Sequence, residues 1–235
     1  MSAPTYVITS LSFLCFFIAP ASASPEPIMS AKGAPLLQLD FSSEKDMETI
    51  GLRKQSQIEV KDGILHATPP NMNRSKVDQS DKWADSSITR IHFPDIPLEF
   101  ICQLRLKYNK PEKIRRVALD VGHRRIRTTL HEELATLQFL GMEGTPINAD
   151  LDSNELIKLQ PDRWYEITLE VKGDEILIQI GDQKLYGKHE LITKHNAPSF
   201  NLDSGGAGFQ VDHIAIFEVA GAHPNWETIR ASLKE

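Results

Sequence analysis

RWYEITLEVKGDEILIQIGDQKLYG, residues 163–187, holds three runs of alternating or β-branched residues separated by Gly173-Asp174 and Gly181-Asp182. Gly-Asp pairs between such runs are hairpin turn signals, so the stretch reads as strand, turn, strand, turn, strand. Outward from it the same grammar repeats. QIEVKDGILHA (57–67) carries an Asp62-Gly63 turn, and LLQLDFS (36–42) precedes it. DIPLEFICQLRLKY (95–108) puts Phe100, Cys102, Leu104, Leu106 and Tyr108 on one side and Gln103, Arg105 and Lys107 on the other. That is period two, hence a strand. GFQVDHIAIFEV (208–219) reads as the last strand. Helical spacing arrives only in PNWETIRASL (224–233), where Trp226, Ile229 and Leu233 share one face behind Pro224. Many short antiparallel strands and one short C-terminal helix describe an all-β sandwich or jelly roll.

The ends of the chain differ from its middle. Residues 1–23 carry no charged side chain, and an apolar run leads to Ala21-Ser22-Ala23. The run is too short to span a bilayer and reads as a secretory signal peptide cut after Ala23, although its n-region lacks Lys and Arg. Residues 24–35 read as a polar, Pro-containing flexible leader, 36–220 as one sandwich, and 221–235 as a helix docked on it. No later segment reads as membrane-spanning, and secretion or a bacterial periplasm is the expected location. With 32 acidic against 26 basic residues the formal charge is −6, which argues against nucleic acid as a partner. Only Cys102 follows the signal segment, so packing rather than an internal disulfide must stabilise the domain.

KIRRVALDVGHRRIRTTLHEE (113–133) concentrates the charge. With Gly122-His123 as a two-residue turn, Asp120 falls opposite Arg125, and Leu119 opposite Ile126. Val117, Leu119, Ile126 and Leu130 then share one face; Arg116, Asp120, Arg125, Arg127 and His131 share the other. Two readings fit. One is a half-buried hairpin whose cross-strand Asp120–Arg125 pair contributes well under about 1 kcal/mol. The other is a ligand wall, in which Arg125 and Arg127, about 7 Å apart on one face, grip a polyhydroxylated or anionic ligand. The polar side chains Gln103, Arg105 and Lys107 would extend the same concave wall.

The run from Leu159 to Gln183, followed by YGKHELITKHNAPSFNLDSGGAGFQVDHIAIFEV (186–219), resembles the closing half of the 3-keto-disaccharide hydrolase family. DGILHA and PLEFICQLRL are similar to that family's early strands, so the likeness spans roughly residues 36–219. The resemblance implies a concanavalin A-like antiparallel jelly roll that acts on oxidised sugars. A 3-keto group acidifies the C2 proton; a base removes it, a cation stabilises the enolate, and the glycosidic group leaves. His131 or Glu133 would be the base, and Arg125 and Arg127 the oxyanion partners. Arg116, Asp120, Gln103, Arg105, His189, Lys194 and Trp83 are the candidate substrate-binding residues, with Trp83 the one obvious exposed stacking platform.

Other motifs point elsewhere. The Glu-x-Asp-x-x-Glu strand of retaining β-glucanases does not occur. Glu166 and Glu170 share a strand face about 13 Å apart, too far for a glycosidase pair, and read as solvent-exposed. Asp150, Asp152 and Asn154 are spaced like the start of an EF-hand loop, but Glu155 and Pro161 stand where Gly and Glu are needed. Calcium is the ion such a loop would hold, an Asx-turn is the competing reading, and no other cofactor is indicated. His189 and His195 match no metal signature. His213 reads as a core histidine and Cys102 as a buried thiol. The candidate functions are therefore three: a hydrolase or lyase of 3-keto-glycosides, a non-catalytic carbohydrate-binding protein, or an envelope interaction module.

Overall fold

The computed structural model describes residues 24–52, 57–68, 88–108, 116–122, 125–141, 149–194, 198–205 and 208–233. Residues 1–23 (the stretch expected to be a signal peptide), Trp83, His123, His195 and the Arg116 side chain lie outside the described residues.

Among the described residues fifteen strands form two antiparallel sheets. The strands are β1 (Ser30–Leu39), β2 (Gly51–Leu52), β3 (Gln57–Lys61), β4 (Ile64–Thr68), β5 (Ile88–Pro94), β6 (Phe100–Tyr108), β7 (Arg116–Val121) and β8 (Ile126–Leu130). They continue with β9 (Ala135–Phe139), β10 (Ala149–Asn154), β11 (Trp164–Lys172), β12 (Glu175–Ile180), β13 (Gln183–Lys188), β14 (Ser199–Gly205) and β15 (Phe209–Ala222). The eight-stranded sheet runs β13-β12-β11-β6-β15-β4-β3, with β1 also paired to β15; the seven-stranded sheet runs β10-β9-β8-β7-β14-β5-β2. From β4 to β7 the chain changes sheet at every step, and it does so again around β14. That alternation makes the sandwich a jelly roll.

The turns obey their residues. Asp62 and Gly63 both take positive φ (54° and 71°), the type I′ pattern, and join β3 to β4. Gly173 and Gly181, at φ 59° and 57°, head the two-residue turns on either side of β12. Between the sheets, inward side chains from both close one core, including Leu104, Leu106, Leu119, Ile126, Leu137, Ile167, Leu169, Ile178, Phe200 and Leu202. Cys102 belongs to it, and burial pushes its thiol pKa well up.

Two features cover the outside of the eight-stranded sheet. The segment expected to be a flexible leader is instead laid across it as a strap. Gln103 Nε2 and Thr168 Oγ1 donate to the Pro25 carbonyl (2.8 and 2.5 Å), and Gln179 Nε2 donates to that of Glu26 (3.0 Å). Glu170, 0% exposed, accepts the backbone N–H groups of Ile28, Met29 and Ser30. Glu166 and Glu170 are thus anchors under a cover rather than solvated carboxylates. Non-local partners, about 140 residues away in sequence, decide this.

The second cover is the expected helix, α1 (Trp226–Ser232), which buries Trp226 against Met29, Leu177 and Tyr186, with Ile229 and Leu233 alongside. Glu175 ties it down by accepting from Tyr186 Oη, Trp226 Nε1 (3.1 Å) and Arg230 (3.1 Å). Burial pushes the Glu175 carboxyl up, but those donors and the Arg230 charge outweigh it and hold the pKa below the ordinary value. Glu175→Ala is expected to cost about 1–3 kcal/mol, because three donors lose their acceptor. Near-ultraviolet circular dichroism of Trp226 and amide exchange in 226–232 should both report a loosened helix. Unchanged spectra would mean that apolar contact alone holds it.

Candidate functional site

The outer face of the seven-stranded sheet carries a polar ladder that crosses six strands in register. Asp150 on β10 stands opposite Gln138 on β9, Gln138 opposite Arg127 on β8, and Arg127 opposite Asp120 on β7. Asp120 in turn stands opposite Asn201 on β14, and Asn201 opposite His92 on β5. Neighbours along it are joined in pairs. Gln138 Nε2 donates to Asp150 Oδ1 (2.8 Å), and the Arg127 fork grips both Asp120 oxygens (2.7 Å each). His92 Nδ1 lies 2.7 Å from Asn201 Oδ1. A second row, two residues along each strand, sets Arg90 opposite Asp203 as a buried bidentate ion pair, then runs through Ala118, Thr129 and Thr136.

Strand alternation builds this face. In ITRIHFP Ile91 and Phe93 point inward while Arg90 and His92 point outward; in SFNLDSG Phe200 and Leu202 alternate with Asn201 and Asp203. The middle of the ladder is dry, with Asp120 at 0% and Asn201 at 4% exposure, whereas Asp150 is exposed and Gln138 half-buried. Hydrogen bonding to Asp120, the largest influence, and the charges of Asp120 and Asp203 raise the Arg127 pKa against the cost of burial. The open end is a cleft of about 460 Å³ lined by Thr136, Gln138, Asp150, Leu151, Asp152 and Ser153.

The expected site residues are only partly brought together. The loop joining β7 to β8 spans 122–125 rather than two residues, with Arg125 N–H bonded to the carbonyls of Val121 and Gly122. Asp120 therefore pairs with Arg127 instead of Arg125. The displacement is two residues, so every side chain keeps its face. Arg125 instead donates to the Gly141 carbonyl (2.5 Å). His131 and exposed Glu133 lie in the turn beyond the other end of β8. Six residues of extended chain, about 20 Å, separate Arg125 from His131. The four residues chosen for base and oxyanion roles do not form one cluster.

The single wall expected from Gln103, Arg105, Lys107 and the hairpin is also absent. These three lie on the opposite outside of the sandwich, because the chain changes sheet between β6 and β7. Gln103 is buried under Pro25, and Arg105 is engaged by Glu166 (3.1 Å), Asp212 (3.0 Å) and the Trp164 ring. Lys107 also rests over Trp164. A cleft of about 580 Å³ opens there beside Pro25, Arg163, Trp164 and Gln183. With those two cations on its ring, Trp164 is not a bare stacking platform.

His189 stacks on Phe139, with centroids 4.1 Å apart, and its Nδ1 accepts the Leu191 N–H; Lys194 is exposed near Glu190. Neither lies on the ladder. His213, expected in the core, faces outward at a β15 bulge, next to Asp212 and Ser24. Asp152 spends its oxygens on the N–H groups of Ser153 and Tyr186, and Asn154 Oδ1 closes an Asx-turn onto Leu156 N–H. Among the described residues no group of three His, Cys, Asp or Glu side chains is arranged to hold a metal, and no helix is long and apolar enough to cross a membrane. Sequence reading passed over Arg90, His92, Gln138, Asn201 and Asp203; the period-two alternation of their strands was the signal available for them.

The fold defines the class: a concanavalin A-like, galectin-like jelly roll. A protein of unknown function with a galectin-like fold from Bacillus subtilis is similar over 81% of this chain and 98% of its own, with TM-score 0.55 and 10% identity. The β-glucanase of Bacillus licheniformis matches 79% of this chain and 99% of its own at TM-score 0.56 and 6% identity. A Z. galactanivorans LamA variant in complex with laminaritriose and laminaritetraose matches 80% of this chain and 100% of its own at TM-score 0.55 and 11% identity. No family model matches the chain, and no curated protein does.

Proposed function

We propose that the polar ladder of the seven-stranded sheet engages carbohydrate, which enters at the cleft of Thr136, Gln138 and Asp150. The observation that carries this reading is the in-register row Asp150–Gln138–Arg127–Asp120–Asn201–His92. Its open end presents the Gln138 amide and the Asp150 carboxylate on neighbouring strands about 4.8 Å apart, planar polar groups within reach of the hydroxyls of one sugar ring. Two solved proteins of the same fold, a β-glucanase and a laminarioligosaccharide-bound LamA, support that ligand class. Secretion, supported by the signal-like first 23 residues, would deliver the protein to polysaccharide.

The finer reading, hydrolysis or elimination on a 3-keto-glycoside, is supported by the sequence resemblance. His131 and Glu133 stand too far from Arg125 to cooperate in it. On the ladder His92, whose Nδ1 lies 2.7 Å from Asn201 Oδ1, is the candidate for the proton-transfer step. Binding is therefore the better supported function and turnover the second.

Calorimetry and a glycan array test the first. Gln138→Ala and Asp150→Ala alter exposed or half-buried groups and should leave the fold intact while weakening binding at least tenfold. Unaltered affinity in both variants would remove the ladder from the site, and no glycan binding at all would leave the envelope-interaction reading. Incubation with a 3-keto-glycoside, followed by release of free sugar, tests the second; turnover should vanish in His92→Ala.

A further inference from the structure

The head of the strap is seated in a small charged niche in which, among the described residues, the Arg105 guanidinium faces the two carboxylates of Glu166 and Asp212. Ser24, 9% exposed, donates through Oγ to Glu166 Oε2 (3.0 Å) and lies 3.3 Å from His213 Nε2. Arg105 is shared between Glu166 (3.1 Å) and Asp212 (3.0 Å), and His213 Nδ1 is 3.5 Å from the same Asp212. One guanidinium thus faces two carboxylates, with a histidine as the remaining member. Neither the fold nor the ladder requires this arrangement. The sequence adds a second, independent observation: Ser24 directly follows Ala21-Ser22-Ala23, a small-residue pattern suited to a signal-type endopeptidase.

We propose that the Ala23–Ser24 peptide bond is cut in the working protein and that the new α-ammonium of Ser24 docks on Glu166, completing the niche. In the cut, water adds across the amide: Ala23 leaves as a carboxylate, and the Ser24 nitrogen takes the proton to become an ammonium. Covalent geometry holds that nitrogen within about 4 Å of Ser24 Oγ. With Oγ 3.0 Å from Glu166 Oε2, the ammonium can be no more than about 7 Å from that oxygen, and rotation about Cα–Cβ brings it into the range of about 4–6 Å over which opposite charges favour each other's ionised forms. The niche then holds two cations against two carboxylates. Burial pushes the Glu166 carboxyl pKa upward in spite of Ser24, His213 and Arg105. Side-chain bonds from Gln103, Thr168 and Gln179 to the Pro25 and Glu26 carbonyls, and the N–H groups donated by Ile28 and Ser30 to Glu170, hold the strap in place behind it.

The full chain should be expressed in an exporting bacterial host, and the intact mass of the secreted protein measured. A chain starting at Ser24 is expected; any other start overturns the proposal. The protein starting at Ser24 should then be compared with its α-N-acetylated form, in wild type and in Glu166→Gln. Acetylation is expected to lower the wild-type Tm by about 2–4 °C and to have no effect in Glu166→Gln. The α-amine should titrate above its ordinary value of about 8, and Glu166→Gln should return it there. Equal Tm values for free and acetylated wild-type protein, or an equal drop in both backgrounds, would overturn the docking.

Discussion

Replacing Glu170 with alanine is expected to lower the unfolding free energy by about 3 kcal/mol or more and to release the strap. The carboxylate is wholly buried and accepts the N–H groups of Ile28, Met29 and Ser30. Without it three donors in a dry place have no acceptor, each costing about 1–3 kcal/mol unless the strap lifts into water. Lifting exposes Met29, which is part of the cluster that seats Trp226. Urea unfolding should show a lower midpoint, and limited proteolysis should begin to cut within residues 24–35. A midpoint equal to wild type would mean that the strap contributes nothing.

Glu170 also gives the stability a pH dependence of definite sign. Burial raises its pKa above the ordinary 4.5, and the backbone donors only partly oppose this. The folded chain therefore holds a proton that the unfolded chain has already lost as pH rises past that value. This contribution to stability is fully present below 4.5 and falls as pH climbs through the raised folded value. Glu170→Gln should remove that part of the slope.

Much of the strand pattern was legible because it is local. The Asp62-Gly63, Gly173-Asp174 and Gly181-Asp182 turns and the alternation in β6, β11 and β15 belong to neighbouring residues. Even the hairpin from β7 to β8 kept its faces when its register moved, since a shift of two restores a period of two. The Asn154 Asx-turn and the Trp226 face of α1 were legible for the same reason. What failed was non-local. A strand's alternation says which residues face outward but not which of two sheets it joins, so the polar sides of β6 and of the hairpin were merged into one wall. The rule that polar outer faces are wet misled for Glu166 and Glu170, because the cover comes from a Ser- and Pro-bearing segment whose composition resembles a linker. Of the ladder, Asp120 and Arg127 were legible. Their true partnership, and Asn201 and His92 beyond it, needed the β7–β14–β5 pairing, which joins strands some 80–110 residues apart.

That partnership changes the expected energetics of the ladder. A surface Asp120–Arg125 pair would contribute well under about 1 kcal/mol, but the Asp120–Arg127 pair is dry: Asp120 is 0% exposed and the Arg127 side chain 12%. Asp120→Ala is therefore expected to destabilise by about 3–5 kcal/mol, since it strands a guanidinium that burial disfavours and the carboxylate sustained. Removing both charges should cost far less than the sum of the single changes, because a buried pair replaced by apolar groups of similar volume is often near neutral. Asp120→Leu combined with Arg127→Met is the variant to make. If it unfolds near the wild-type midpoint, it separates the two roles of the pair. Retained stability with lost glycan binding would assign the fork to ligand recognition, whereas retained stability with wild-type binding would confine carbohydrate to the open Gln138–Asp150 end. Strictly additive losses from the two single variants would show that the side chains act independently and that the ladder is not coupled at its centre.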